Sequence, residues 1–412
     1  MKRFILIIIT AVLLVCRGCT GKSGSDNKLV YWSMWNEVEP QGQVIARAAE
    51  AFTSETGIKI EINFSGREVG TILQPALDSG ENIDIFDLDY EYMIRAWSDY
   101  MLPLDSFITQ AYPSTGGRPF NQVIHKTLLE QAKEFGNGSV LVIPYQPYIL
   151  VVMYNKDHFE KAGIASSPLT WNEMLDACAK LRAINVAGFT VDNAYISLLF
   201  GYTMNRLVGL DEAVRMAEIG DFSGPSILRF GEIWENMAKK GYITPNSAAN
   251  IFPTGQINDL GAGRAAMYLN GTWLPNELKS VVPDFRWGSF AFPAIDPKGD
   301  GIETNTFGAQ GFAINKKSKY PDEAFRFIAW LTTGEWDAVL AQESGSIPMA
   351  NDAVWPQALA EARAVQDLTA KRLPYANRFD ILPEVNVKIA ENFAKLIKGD
   401  YNAGQFAAAM RK

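Results

Sequence analysis

Cysteine is nearly absent. Three occur in 412 residues, and two of them, Cys16 and Cys19, lie close to the start. Only Cys178 remains for the folded body, so no internal disulfide is available and core packing must carry stability. Cys178 sits with Trp171, Leu175 and Leu181 at helical spacing and reads as a small buried apolar residue. Histidine is as scarce, with only His125 and His158. Neither a zinc site nor a Cys–His nucleophile has the side chains it needs. Both histidines stand among charged residues of helical pattern and are expected at the surface. Positive charge is also in deficit: 38 Lys and Arg against 46 Asp and Glu leave a net −8, without a basic block. That weighs against nucleic acid or an anionic membrane surface as the main partner. Phosphate loop, dinucleotide fingerprint and nucleophile elbow are all missing. The stretch from Asp296 fails as a calcium loop, because Lys298 takes the third position and Phe307 the twelfth. No metal and no cofactor are expected.

What is present reads as globular: 48% hydrophobic and 20% charged residues. The length exceeds one ordinary core, so two domains are expected. Lys2 and Arg3 precede an apolar run from Phe4 to Val15, too short to span a bilayer as a mature helix; this is an export signal. Gly18 followed by Cys19 resembles the lipobox of bacterial lipoproteins, in which that cysteine is acylated. The signal would then be 1–19 and a polar tether 20–28. Cys16 stands where that pattern has Leu, Arg17 is unusual there, and Cys16 is the alternative acceptor. An ordinary cleaved signal peptide is the other reading.

Beyond the tether, "LVYWSMW" suits a buried strand. Val44, Ile45, Ala48, Ala49 and Phe52 recur on one helical face, and Gly57 is a natural stop. "IKIEINF" alternates strictly. A second helix to Gly80 and the strand "IDIFDLD" complete β-α-β-α-β, which implies a mainly parallel sheet with right-handed crossovers. Ligands of such sheets bind beyond the carboxyl ends of the strands, here Trp35-Asn36-Glu37 and Asp89-Tyr90-Glu91. Later, "VIPYQPYILVVMYN" is extended, Thr170 and Glu173 form a capping box, and "AAMYLNG" is a strand. An Asn270-Gly271 turn is expected to end that strand and to present Trp273. Glu37, Asp89 and Glu91 stand where glycosidase acids could sit, but carboxylates are equally good acceptors for sugar hydroxyls. The spacing alone leaves both open.

Several segments together resemble the extracellular solute-binding proteins of ABC importers, in the sugar-binding group that includes maltose-binding protein. They are "LVYWSMWNE", "FTSETGIKIEINF", "SGENIDIFDLD", "IPYQPYILVVMYNKDHFEKAGI", "PLTWNEMLDACAKL", "GAGRAAMYLNGTW", "GFAINKKSKYPDEAFRFIAWL" and "GSIPM", in this order over nearly the whole mature chain. The resemblance implies an α/β, two-lobe periplasmic-binding-protein-like fold, each lobe a mainly parallel sheet flanked by helices, with a hinge of crossing segments. Those segments fall near Tyr145 to Ile149, near Pro293 to Asp296, and after Leu331. The N-terminal lobe would comprise 29–145 and 296–332, and the C-terminal lobe 149–292 and 336–412.

The resemblance further implies capture of a carbohydrate in the inter-lobe cleft, without catalysis, and delivery to ABC permease transmembrane subunits. The protein would be a monomer, anchored through Cys19 and facing outward, or periplasmic. Ligand contacts would come from Trp35, Asn36, Glu37, Asp89, Tyr90, Tyr148, Trp273, Gln310 and Arg378. Trp273 has a clear physical role: an indole face complements the C–H faces of a pyranose. The competing readings are a polyamine, peptide or anion as solute, and a secreted glycoside hydrolase.

Overall fold

A computed structural model describes residues 28–247, 249–380 and 382–411. The export signal, Cys16 and Cys19 lie outside the described residues, as does all of the tether but Lys28.

The first strand, β1 (Lys28–Ser33), leads to α1 (Pro40–Thr56), which starts on a proline at its first turn. Val44, Ile45, Ala48, Ala49 and Phe52 face inward, and Gly57 closes the helix at φ 76° with its N–H on the Thr53 carbonyl. Strand β2 (Lys59–Phe64) lies at the sheet edge. Its Lys59, Glu61 and Asn63 are exposed and its Ile60, Ile62 and Phe64 half-buried, the charged alternation that protects an edge. Helix α2 (Val69–Ser79), β3 (Ile85–Asp89) and α3 (Tyr90–Trp97) follow. Next come β4 (Ile143–Asn155), β5 (Ala187–Thr190), β6 (Ala265–Gly271) and β7 (Trp287–Phe290). The last strands are β8 (Thr304–Asn305), β9 (Phe307–Ile314) and β10 (Lys371–Arg372).

The strand order is β2-β1-β3-β9-β4-β6-β5, with β7 also on β4. Pairing is parallel for β1–β2, β1–β3 and β5–β6. It is antiparallel wherever β4 or β9 takes part. The sheet is therefore mixed, and the expected predominance of parallel pairs stops at the strands that cross between lobes. Long β4 serves both sides: Ile143 to Ile149 pair with β9, and Leu150 to Asn155 with β6 and β7. The register slips between Tyr145 and Pro147, where Gln146 adopts φ 44° and its amide donates to Ser344 and Ser346.

Separate cores lie on either side of this strand. The first gathers Tyr31, Phe52, Phe86, Trp97, Phe325 and Phe327. The second lobe packs Trp171, Phe200, Trp234 and Phe393 on one face of its strands, and Val151, Met153, Tyr268 and Leu359 on the other. Cys178 is fully buried in this lobe, where desolvation pushes its thiol up to about 12. The Thr170–Glu173 capping box forms.

The lobe boundaries differ from expectation in two places. Residues 296–305 stay with the second lobe: Asp300 accepts from the Asn205 amide and the Leu210 N–H, and β8 pairs with β10. Fully buried Arg206 donates to the carbonyls of Phe292 and Thr304. The chain passes to the first lobe at Thr306. Residues 334–350 stay attached to the first lobe, because the helix Gly334–Ser344 packs on α1 and puts Leu340 into that core along with Met349, while Ile347 between them reaches the second lobe. Asp337 on this helix accepts the N–H groups of Met349 and Ala350, both at 2.8 Å. The last crossing thus follows Ala350. His125 and His158 stand at helix starts and are only partly exposed at the surface, and desolvation lowers both pKa values.

Candidate functional site

Two aromatic side chains set the site. Tyr148 stands on β4 where it leaves the first lobe, and Trp273 follows the end of β6. Their rings meet edge to face at 5.3 Å. Each rests on a glycine, Tyr148 on one of the neighbouring strand β9 and Trp273 on the last residue of β6. A Cβ at Gly308, the register partner of Tyr148, would lie 2.5 Å from the Tyr148 hydroxyl oxygen. One at Gly271 would lie 2.3 Å from the Trp273 ring. The strand runs on through Asn270 and Gly271, so the turn falls at Thr272-Trp273, two residues later than expected.

These rings border a cleft of about 450 Å³ between the lobes, within the usual range of small-molecule sites. The first lobe contributes Leu88 and Asp89 from the end of β3, and Glu91, Tyr92 and Arg95 from α3. Gln310 comes from β9, opposite Asp89 in register. The second lobe contributes Trp273, Arg372, Tyr375, Arg378 and Asp380.

Asp89 caps α3 by accepting the Tyr92 N–H and takes a 3.2 Å hydrogen bond from the Tyr148 hydroxyl. Burial pushes its carboxyl up, and Glu91 adds to that, while the Tyr92 N–H offsets it. Gln310 Oε1 and Asp380 Oδ1 are buried and accept no hydrogen bond among the described residues. A buried acceptor left unpaired is costly, so both suit an incoming donor. Three arginines share the cleft, and each has an acidic neighbour: Arg372 and Arg95 on Glu91, Arg378 on Glu218. Each of these cations thus already has an acidic partner, with Glu91 shared by two of them.

The segment carrying Arg378 is strained. Ala376, Asn377 and Arg378 have φ of 46°, 49° and 67°, and such residues cost of order 1–3 kcal/mol each. It is pressed against Gly201, where a Cβ would lie 2.2 Å from the Ala376 carbonyl oxygen.

Other expected residues fall elsewhere. Tyr90 is not on the cleft: it is fully buried, packs at a tilt on Phe135, and its hydroxyl pairs with Gln131. The helix starts at Tyr90, and the turn per residue sends this side chain into the core while Glu91 and Arg95 face the cleft. Trp35 is 7% exposed. Its indole N–H donates to Tyr145 at 2.7 Å, and Arg67 lies over its ring. It borders a side chamber of about 70 Å³ shared with Tyr148, Trp273 and Gln310. Behind it, Tyr145 donates to the fully buried Asp87, whose carboxyl desolvation pushes to about 7. Asn36 and Glu37 are exposed and border neither cavity; Asn36 instead donates to Glu39. Sequence reasoning missed Arg372, Tyr375 and Asp380. Asn377 in "YANRF" was the available signal, since Asn tolerates the left-handed region.

The fold and sequence both have relatives. The chain is 24% identical over 339 residues to the "Multiple sugar-binding protein" of Streptococcus mutans, covering 80% of this chain and 77% of that one. It is 24% identical over 315 residues to a putative binding protein of Brucella abortus, covering 75% and 73%. Among solved structures, a probable secreted solute-binding lipoprotein from Streptomyces coelicolor matches with TM-score 0.75 at 18% identity, covering 94% of this chain and 98% of that one. A sugar transporter from Bacillus licheniformis, in complex with stachyose, matches with TM-score 0.65 at 18% identity, covering 93% and 98%. These structural likenesses establish the two-lobe fold. The sequence profile described as "Bacterial extracellular solute-binding protein" matches residues 36–338, and the chain belongs to that family.

Proposed function

We propose that the cleft captures a neutral carbohydrate outside the cell and that the loaded protein delivers it to the transmembrane subunits of an ABC permease. The observation that carries this is the Tyr148–Trp273 pair bordering the same cleft as Gln310 and Asp380. A pyranose offers C–H faces to an indole and hydroxyl donors to oxygen acceptors. Asp89 adds a third acceptor on the first lobe. The names of the Streptococcus and Bacillus relatives agree with this reading. An anionic solute fits less well, since the cleft arginines already face carboxylates.

Capture and release need no bond cleavage, and this reading assigns the protein no catalysis. No helix among the described residues is long and apolar enough to cross a membrane. Attachment would come from acylated Cys19, and the receptor would act as a monomer. Mass spectrometry of the mature N-terminus decides the anchor: an unmodified terminus at another residue removes it.

The decisive measurement is calorimetric titration of the mature protein with a panel of mono- and oligosaccharides, followed by chromatography of each sugar. A saturable isotherm with the sugar recovered intact supports the proposal. Recovery of cleaved sugar replaces it with a hydrolase. Binding of polyamines or anions alone replaces the carbohydrate.

A further inference from the structure

We propose that the buried carboxyl group of Asp87 positions Trp35 in the wall of the side chamber, acting through Tyr145, and that the proton on Asp87 decides how firmly the indole is held. Asp87 borders neither cavity; it is a positioning residue. The consequence for affinity rests on the carbohydrate reading above, and the placement of the ring does not.

Three side chains form a line. Trp35 follows β1, Tyr145 stands on β4 and Asp87 on β3. The indole N–H donates to the Tyr145 hydroxyl oxygen at 2.7 Å, and the Tyr145 O–H donates to Asp87 Oδ2. Asp87 Oδ1 accepts the Met34 N–H at 2.8 Å, one residue before Trp35. One carboxyl group thus holds both the backbone and the ring of the loop after β1. Tyr145 is stacked on Phe312 with ring centres 4.0 Å apart, and Phe312 is the register partner of Asp87. The hydroxyl in the middle of the line is therefore fixed in place. Arg67 covers the indole at 4.4 Å from the ring centre and is itself held by Glu39 at 2.8 Å. The ring borders the chamber together with Tyr148 and Trp273.

The line runs one way. An indole N–H only donates, a hydroxyl does both, and an ionised carboxylate only accepts. With Asp87 ionised, every hydrogen in the line has an acceptor. Oδ1 faces an N–H, so an added proton belongs on Oδ2, where it points at the Tyr145 oxygen. The Tyr145 hydrogen then loses its acceptor inside the core, which is costly. It also competes with the indole N–H for room around the same oxygen. Ionised Asp87 fixes Trp35, and neutral Asp87 loosens it.

Tyr31 from β1 and Tyr145 from β4 face the carboxyl, and Arg67 adds a positive charge. From β9 it meets the Phe312 ring, while α3 turns Glu91 and Arg95 to the cleft. Burial outweighs these neighbours, and the carboxyl changes charge at about 7.

The mature chain is labelled with fluorotryptophan, and its fluorine NMR spectrum is followed across that value. Trp35→Phe identifies the Trp35 resonance, which should move in one step centred at about pH 7. Asp87→Asn should abolish the step and leave the resonance at its low-pH position, because the amide offers an acceptor to Met34 and a donor to Tyr145 at every pH. Tyr145→Phe should abolish it too, while keeping a ring on Phe312. Unchanged resonances of the other tryptophans show that both variants fold. Stachyose, maltotriose and cellotriose are then titrated calorimetrically at about pH 6 and about pH 8, between which the ionised fraction rises from about a tenth to about nine-tenths. For a probe that binds, Kd should fall several-fold, at most about ninefold, and Asp87→Asn should lose that change. A Trp35 resonance that stays still overturns the proposal. So does a step that survives in Asp87→Asn, which would assign the proton to another carboxyl, such as Asp337. A wild-type Kd equal at both pH values overturns the effect on affinity. If no probe binds, the carbohydrate reading fails, and the NMR titration still decides the placement of Trp35.

Discussion

Arg372 and Glu91 meet across the cleft at 2.6 Å, although 281 positions separate them in the chain. Arg372 belongs to the second lobe through β10, and Glu91 to the first through α3. The guanidinium also lies over Phe135, 5.1 Å from the ring centre, and donates to the Phe307 carbonyl. The side chains are 17% and 20% exposed, so water screens the pair only in part.

Glu91→Gln removes the charge and keeps an acceptor. It should cost about 1–3 kcal/mol, the scale of a hydrogen bond between charged groups. Urea denaturation measures the loss. Small-angle scattering of the ligand-free variant should show a larger radius of gyration, because this inter-lobe tie is weakened and lobes joined at strand ends can rotate. Unchanged stability and scattering would mean that the pair exchanges for water without consequence.

Trp273→Ala should weaken sugar binding by about 1–3 kcal/mol, the scale of losing a packed aromatic contact. Gly271→Ala should do comparable damage without touching the ring chemically, because its Cβ would displace the indole. Both variants should fold, since the ring is only half-buried. Full affinity in Gly271→Ala, by calorimetry, would show that the ring position does not matter.

The pH dependence of stability should carry the mark of Asp337. Desolvation moves its carboxyl from the ordinary 3.8 up to about 7 in the folded protein. Between those values the folded state holds the proton more tightly than the unfolded chain. Its contribution is therefore present below pH 3.8 and is lost as pH rises to about 7. The slope is at most about 1.4 kcal/mol per pH unit from one group. Asp87 acts in the same direction. Asp337→Asn should flatten the decline seen in denaturant titrations from pH 4.5 to 7, roughly the span between the two protonation points. An identical slope would place the protonation elsewhere.

Much of this architecture is legible in short stretches. The heptad-like face of α1, the alternation of β2 and the Thr170–Glu173 box need only neighbouring residues to specify them. The position of Trp273 at the cleft was legible because the strand before it is apolar from Ala265 to Leu269 and ends beside it. Tyr90 was misplaced because sequence locates a strand end only to within a residue or so, and each residue of helix rotates the side chain by about 100°. Arg372 was illegible because a two-residue strand against Thr304 and Asn305 aims it. The boundary at Ala350 depended on where the helix Gly334–Ser344 docks, which its own pattern does not state.

Strand β4 has a consequence for denaturation. Its first half completes the sheet of one lobe and its second half that of the other. Neither lobe can lose its share without fraying the backbone that the other requires. Two cores of this size would otherwise melt as two calorimetric peaks. The shared strand should merge them into one cooperative transition, and its central amides, Ile149 to Val152, should be the last to exchange their hydrogens for deuterium.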